Sequence, residues 1–154
     1  MSVKPIPEGY HSVTPYLIIE GAQAAIDWYK QVFHAEDHLK LDGPGESVAH
    51  AEIKIGDSFV MLADECPEMG FHGPNHYQGS ATHLMIYLED VDTVFHAAIE
   101  AGAEVVRPLQ DQFYGDRSGA LKDPFGHQWT LAKHIKDMTQ EEVQKAADEM
   151  FQES

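Results

Sequence analysis

The chain has 154 residues, 43% of them apolar, which is enough to bury a core and sets one domain, 1–154, as the expectation. Its 10 Lys and Arg against 26 Asp and Glu give a formal charge of −16. A field of that sign repels phosphate backbones and anionic lipid, so neither nucleic acid nor a membrane surface is an expected partner. A single cysteine, Cys66, rules out an intrachain disulfide and fits a reducing compartment. The opening Met1-Ser-Val-Lys-Pro-Ile-Pro lacks a signal-peptide core, and no uncharged apolar run approaches the roughly 18 residues of a transmembrane helix. A soluble cytoplasmic protein is therefore the expectation.

Taken in chain order, Val13–Glu20 is a β-rich run ending at Gly21. Ala22, Ala25, Ile26, Tyr29 and Phe33 then recur at helical spacing, which predicts a helix over 22–33. A short strand over 37–41 and a turn at Asp42-Gly-Pro-Gly lead to a hairpin, 48–55 and 58–63, folded at Gly56-Asp57. Together these make a βαβββ unit over about 13–63. The segment 64–80, rich in Gly and Pro, reads as a connecting loop. Within it Gly73-Pro74 is expected to keep His72 and His76 off a common helix face. The pattern then returns over about 82–133: a strand over 82–89, a helix over 91–101 closed by Gly102, a strand over 104–109, and strands over 118–122 and 127–133 around the turn Asp123-Pro-Phe-Gly. Thr139 and Glu142 stand at capping-box spacing before Val143, Ala146, Ala147 and Met150, so a C-terminal helix is expected over about 139–152.

One register shift relates the two units. Glu20 aligns with Glu89 (89 − 20 = 69), and Leu62-Ala63 aligns with Leu131-Ala132 at the same offset. The predicted fold class is α+β: two βαβββ repeats forming a curved mixed sheet with a concave pocket, plus the C-terminal helix.

Strands alternate faces. Leu17, Ile19, Ile53, Ile55, Val60, Leu62, Leu84, Ile86, Leu88, Trp129 and Leu131 make an apolar face for the helices. The opposite face mixes Thr14, Tyr16 and Ile18, His50, Glu52 and Lys54, Phe59 and Met61, His83, Met85 and Tyr87, and Gln128 and Thr130. A partly apolar surface with a few polar groups suits a small-molecule pocket, against the alternative of an ordinary solvated face.

The leader Pro15-Tyr16-Leu17, the helix Ala25-Ile26-Asp27-Trp28-Tyr29-Lys30 and the closing Asp123-Pro-Phe-Gly-His-Gln-Trp make the chain resemble the vicinal-oxygen-chelate superfamily of glyoxalases, extradiol dioxygenases and antibiotic-resistance proteins. Ala63-Asp64-Glu65, Phe113-Tyr114-Gly115-Asp116-Arg117 and the long connecting loop make it similar to the PhnB-like branch, the resemblance running from about Gly9 to His134. The resemblance implies a cytosolic homodimer with a small-molecule ligand. In metal-dependent members the ligands are His, Gln or Glu on the first and last strands of each repeat. Those positions fall here on Thr14, Met61, His83 and Thr130, of which only His83 is a conventional ligand, so no metal and no cofactor are expected.

His50 and Glu52, at i, i+2 on one strand face, are the candidate catalytic acid–base pair, the carboxylate orienting the imidazole. Tyr16, Met61, His83, Tyr114, Arg117, Gln128 and Thr130 are the candidate ligand-binding residues. Arg117 has two readings: a rim residue gripping a ligand carboxylate or phosphate, or a brace held by Asp116 or another carboxylate. Asp64 and Glu65 stand at a strand exit near the same mouth, either functional or solvated. Three functional readings stand side by side. The first is a pocket protein without the usual metal, binding or processing a small organic molecule. The second is a metal-dependent lyase, isomerase or dioxygenase using His83 with His50 and Glu52. The third is a resistance protein that sequesters a cationic drug. No phosphate-binding glycine loop or nucleophile elbow is present, and Cys66 has no local basic partner.

Overall fold

A computed structural model describes residues 2–153, and the chain divides into two compact units, one ending at Ser80 and the other beginning at Ala81. The first contains β1 (Tyr16–Ile19), α1 (Ala22–Phe33), β2 (Glu36–Asp42), β3 (Val48–Ile55) and β4 (Ser58–Asp64), then a single 3₁₀ turn and the short α2 (Pro74–Tyr77). Its sheet runs β1-β4-β3-β2, with β1 parallel to β4 and the other pairs antiparallel. The second contains β5 (His83–Tyr87), α3 (Val91–Glu100), β6 (Glu104–Asp111), β7 (Asp116–Lys122), β8 (Gln128–His134) and α4 (Gln140–Gln152). It repeats the topology as β5-β8-β7-β6, with β5 parallel to β8. The predicted α+β doubling of βαβββ is thus present as two four-stranded mixed sheets.

The register confirms the repeat more closely than sequence identity does. Tyr16 lies opposite Met61 in unit one, and Met85 lies opposite Thr130 in unit two, both positions moved by 69. The inner hairpins differ by one residue: Glu52 faces Met61, whereas Ala120 faces Thr130, a displacement of 120 − 52 = 68.

In unit one the expected apolar face is the core. Leu17, Ile19, Ile53, Ile55, Val60 and Leu62 are buried, and α1 lays Ala22, Ala25, Ile26, Trp28, Tyr29, Val32 and Phe33 into the interior. Each large apolar side chain so removed from water contributes about 1.5–3 kcal/mol. The first strand is shorter than predicted. Pro15 has no N–H to give the ladder, so Val13 and Thr14 precede the strand while the Pro15 carbonyl accepts from Met61 N at 2.9 Å.

Gly21, at φ 89°, begins α1 without a capping side chain of its own. The cap comes from the far end of β4. Asp64 Oδ1 accepts from Gly21 N (3.1 Å) and Ala22 N (2.8 Å), and its Oδ2 accepts from Val48 N (2.7 Å). A carboxylate at a helix N-terminus satisfies orphan donors and complements the dipole. Glu65 likewise accepts from Gly73 N at 2.8 Å. Neither acid is simply solvated at a mouth.

The connecting segment keeps His72 and His76 off a common helix, since α2 begins at Pro74, whose missing N–H costs nothing in a first turn, and His72 lies ahead of it. That turn returns His76 onto His72, their rings stacked at 3.7 Å and 10°.

In unit two Asp90 caps α3 through Thr93 N, and Leu121, Trp129 and Leu131 are buried. Thr139 begins α4 as predicted, accepting from Glu142 N, while the Glu142 carboxylate reaches back to the threonine hydroxyl. The Asp123-Pro-Phe-Gly turn is organised by Asp123, which is only 3% exposed. Its carboxylate accepts from Phe125 N (2.9 Å), His127 N (3.0 Å) and Trp129 Nε1 (2.8 Å). Asp123→Ala strands these donors, and since an unsatisfied buried group costs about 1–3 kcal/mol, a loss of about 3 kcal/mol is expected in urea unfolding. Asp123→Asn retains an acceptor and should lose less.

Candidate functional site

The open face of the first sheet is fixed by register. Tyr16, Met61 and Glu52 form one row across β1, β4 and β3, which Leu39 continues on β2. His50 stands on the same face two residues before Glu52, opposite Leu41, and Phe59 lies there opposite Lys54. Tyr16, Leu39 and Leu41 are exposed, whereas the side chains of His50 and Glu52 are only 22% and 14% exposed. The structure therefore brings Tyr16, His50, Glu52 and Met61 onto one patch, as predicted, and adds the two leucines.

These polar groups form a continuous chain. Tyr16 Oη lies 2.8 Å from His50 Nδ1, and His50 Nε2 lies 2.8 Å from Glu52 Oε2. Facing a carboxylate, Nε2 is the nitrogen that carries hydrogen, so the neutral ring presents the Nδ1 lone pair to the phenol. Burial raises the Tyr16 phenol above its ordinary value of 10.0, which keeps it protonated and donating. The chain ends on Tyr10, whose Oη donates to Glu52 Oε1. Tyr10 was absent from the sequence-derived candidates. It stands in a stretch without helical or strand periodicity, 42 positions from its partner. The arrangement is a hydrogen-bonded histidine–glutamate pair, flanked by two phenols and beside exposed apolar surface.

The remaining candidates belong to unit two. His83, Met85, Gln128 and Thr130 share the open face of that sheet, where His83 pairs with Gln128 and Met85 with Thr130. Tyr114 Oη lies 3.2 Å from Ser118 Oγ. Arg117 does not join them. Opposite Lys133 in the ladder, it stands on the helix face, gripping Asp92 of α3 through Nε (3.2 Å) and Nη2 (2.7 Å) and Asp111 through Nη1 (3.1 Å). Of its two readings the brace is the one observed, and its partners are Asp92 and Asp111 rather than Asp116. Alternation decides this: Arg117 is one residue from Ser118, which faces the open side.

Asp116, 6% exposed, serves the open face instead, accepting from Tyr87 Oη (3.0 Å) and pairing with His134 Nδ1 (2.9 Å). His134 Nε2 pairs with Asp137 at 2.7 Å, so both ring nitrogens face carboxylates. Among the described residues no three His, Cys, Asp or Glu side chains are grouped to hold a metal ion.

Residues 10–131 match the family model of the Glyoxalase/Bleomycin resistance protein/Dioxygenase superfamily. The chain belongs to that superfamily. Uncharacterized protein Rv0887c of Mycobacterium tuberculosis is 36% identical over 138 residues, covering 88% of this chain and 81% of the relative. Among solved structures, TioX from Micromonospora sp. ML1 superposes with a TM-score of 0.64 at 27% identity, covering 81% of this chain and 99% of that one. The PhnB protein from Bacillus cereus gives 0.64 at 25% identity, covering 80% and 99%. The superfamily's metal-ligand positions do not fit a metal here. Met61 supplies a thioether, Thr14 lies ahead of β1 with its hydroxyl on the His11 carbonyl at 3.4 Å, and Thr130 is a second hydroxyl.

His134 yields a pH prediction. Hydrogen bonds to Asp116 first, and Asp137 second, raise its pKa above the ordinary 6.5. A raised folded value means that the pairing stabilises the protein fully below pH 6.5, and that this contribution is lost as pH rises through the folded value. An NMR titration of the imidazole should show a midpoint above 6.5 that falls towards it in Asp116→Asn.

Proposed function

We propose that this chain binds a small organic molecule on the open face of the β1-β4-β3-β2 sheet, with His50 and Glu52 as a metal-independent acid–base pair. The observation that carries the reading is the hydrogen-bonded series Tyr16, His50, Glu52. Glu52 fixes the imidazole tautomer, and His50 Nδ1 then takes the Tyr16 proton, so the exposed phenol oxygen keeps its lone pairs turned out to accept from a ligand donor. Leu39, Leu41 and Met61 supply apolar contact around these groups. On the open face of the second sheet His83, Gln128, Thr130 and Tyr114 are proposed as ligand contacts of that unit, and pairing of two copies in the cytosol is proposed from membership of the superfamily.

A panel of neutral, anionic and cationic aromatic compounds, followed by thermal shift and by the imidazole NMR signals of His50, tests this. At least one compound should stabilise the protein and move those signals. Tyr16→Phe and His50→Ala should each weaken its binding about tenfold, since each removes a hydrogen bond to a partly buried group. Elemental analysis of protein purified without chelator supplies the opposing arm: near-stoichiometric metal whose removal abolishes binding would overturn the metal-independent reading.

A further inference from the structure

Residues 2–14 precede β1 and pair with no strand. Among the described residues, the hydrogen bonds of this arm stay inside it, Lys4 to Glu8, Tyr10 N to Pro7 O and Thr14 to His11 O, until Tyr10 reaches Glu52. The arm is otherwise open to solvent, with Val3 93% and Val13 86% exposed. Tyr10 and, at the threshold of the strand, Thr14 are the half-buried exceptions. Tyr10 is the one that packs on aromatic rings. Its ring stacks on Phe59 at 4.1 Å and 9°, and the His38 ring presents an edge to it at 6.2 Å and 64°. Gly9 immediately before it takes φ 83°, the left-handed region, where a Cβ would also come within 3.1 Å of the Phe59 ring. That residue lets the chain turn tightly over the ring it covers.

The slot holding this phenol is built by the sheet. Phe59 gives a flat floor, His38 a wall beside it at 4.7 Å, and Glu52 a carboxylate acceptor at the polar end. The carboxylate's other oxygen already holds His50, so whatever occupies the slot is coupled directly to the acid–base pair. We infer that this slot is a binding position for the hydroxyl-bearing aromatic ring of a ligand, and that Tyr10 is a tethered occupant which such a ligand displaces. The inference deepens the proposed small-molecule reading and rests on it. A covalently attached ring competes at the high effective concentration of its tether, so an external phenol sees only the fraction of molecules in which the arm has left.

The experiment removes the occupant and returns it as a free molecule. Tyr10→Ala is titrated with p-cresol, which reproduces the tyrosine side chain, and with toluene, which lacks the hydroxyl, and the imidazole signals of His38 and His50 are followed by NMR. p-Cresol should bind the variant at least about tenfold more tightly than wild type, and more tightly than toluene does. Adding Glu52→Ala to the variant should erase the preference for the hydroxyl. Tyr10→Phe, which keeps the ring but not its hydrogen bond, should admit p-cresol to an intermediate degree and serves if Tyr10→Ala fails to fold. Equal p-cresol affinity in wild type and variant, or equal affinity for toluene, would overturn the inference. If p-cresol leaves the variant untouched while panel compounds still move His50 in wild type, the slot fails and the proposed function stands. If p-cresol moves His38 but no compound ever moves His50 or stabilises wild type, the slot stands and the wider reading fails.

Discussion

The parallel pairing of β1 with β4, Tyr16 opposite Met61, is the contact on which the rest of unit one depends. Parallel neighbours cannot be joined by a tight turn, so a crossover must separate them in sequence, and here α1, β2 and β3 make it up. The pairing also fixes parity. With Leu17 and Ile19 turned to the helix, Tyr16 has to stand on the open side, and β4 sets Glu52 and His50 beside it through the hairpin register. Slipping β1 by one residue would exchange its faces and dismantle the core and the Tyr16–His50 bond together. Unit two repeats the outer register but not the chemistry. Moved by 68, the positions of His50 and Glu52 are Ser118 and Ala120, so the histidine–glutamate pair belongs to one repeat alone.

The elements were legible in the sequence wherever burial enforces a period. α1, the β3–β4 hairpin and the Leu17 and Ile19 strand face were read correctly because each meets the core on alternate or every third and fourth residue. β2 gave little signal, since all seven of its residues are exposed and no face selects apolar side chains. The patch formed by Tyr16, His50, Glu52 and Met61 followed from alternation alone. Arg117 was harder: its residue type suits anion binding and brace equally, and only the position of its strand edge relative to α3 separates them. Asp64 and Tyr10 were illegible as partners because both act more than 40 residues away, on Gly21, Ala22 and Glu52, where no local spacing points. His72 and His76 share no helix, as expected, but their stacking was illegible because it depends on the short turn that Pro74 starts as a first helical residue.

The acidity of the chain has a second face. Three of its aspartates, Asp64, Asp116 and Asp123, are buried or half-buried acceptors that hold a helix start, a tyrosine–histidine pair and an indole. Two more, Asp92 and Asp111, are spent on Arg117. Part of the −16 formal charge is therefore carried by carboxylates that hold the framework together, so acidity here serves architecture as well as the surface field.

Asp64 carries a consequence for the order in which the unit assembles. The two donors at the start of α1 are satisfied by a residue 43 and 42 positions downstream, at the very end of the hairpin. Until β3 and β4 have closed, the helix has an open first turn and a glycine at its threshold, both of which favour fraying. Nascent α1 is thus a poor independent nucleus, and its completion waits on long-range contact. Such a dependence raises the contact order of folding, ties the amide protection of Ala22 to the hairpin rather than to its own helix, and makes the unit assemble as one cooperative event.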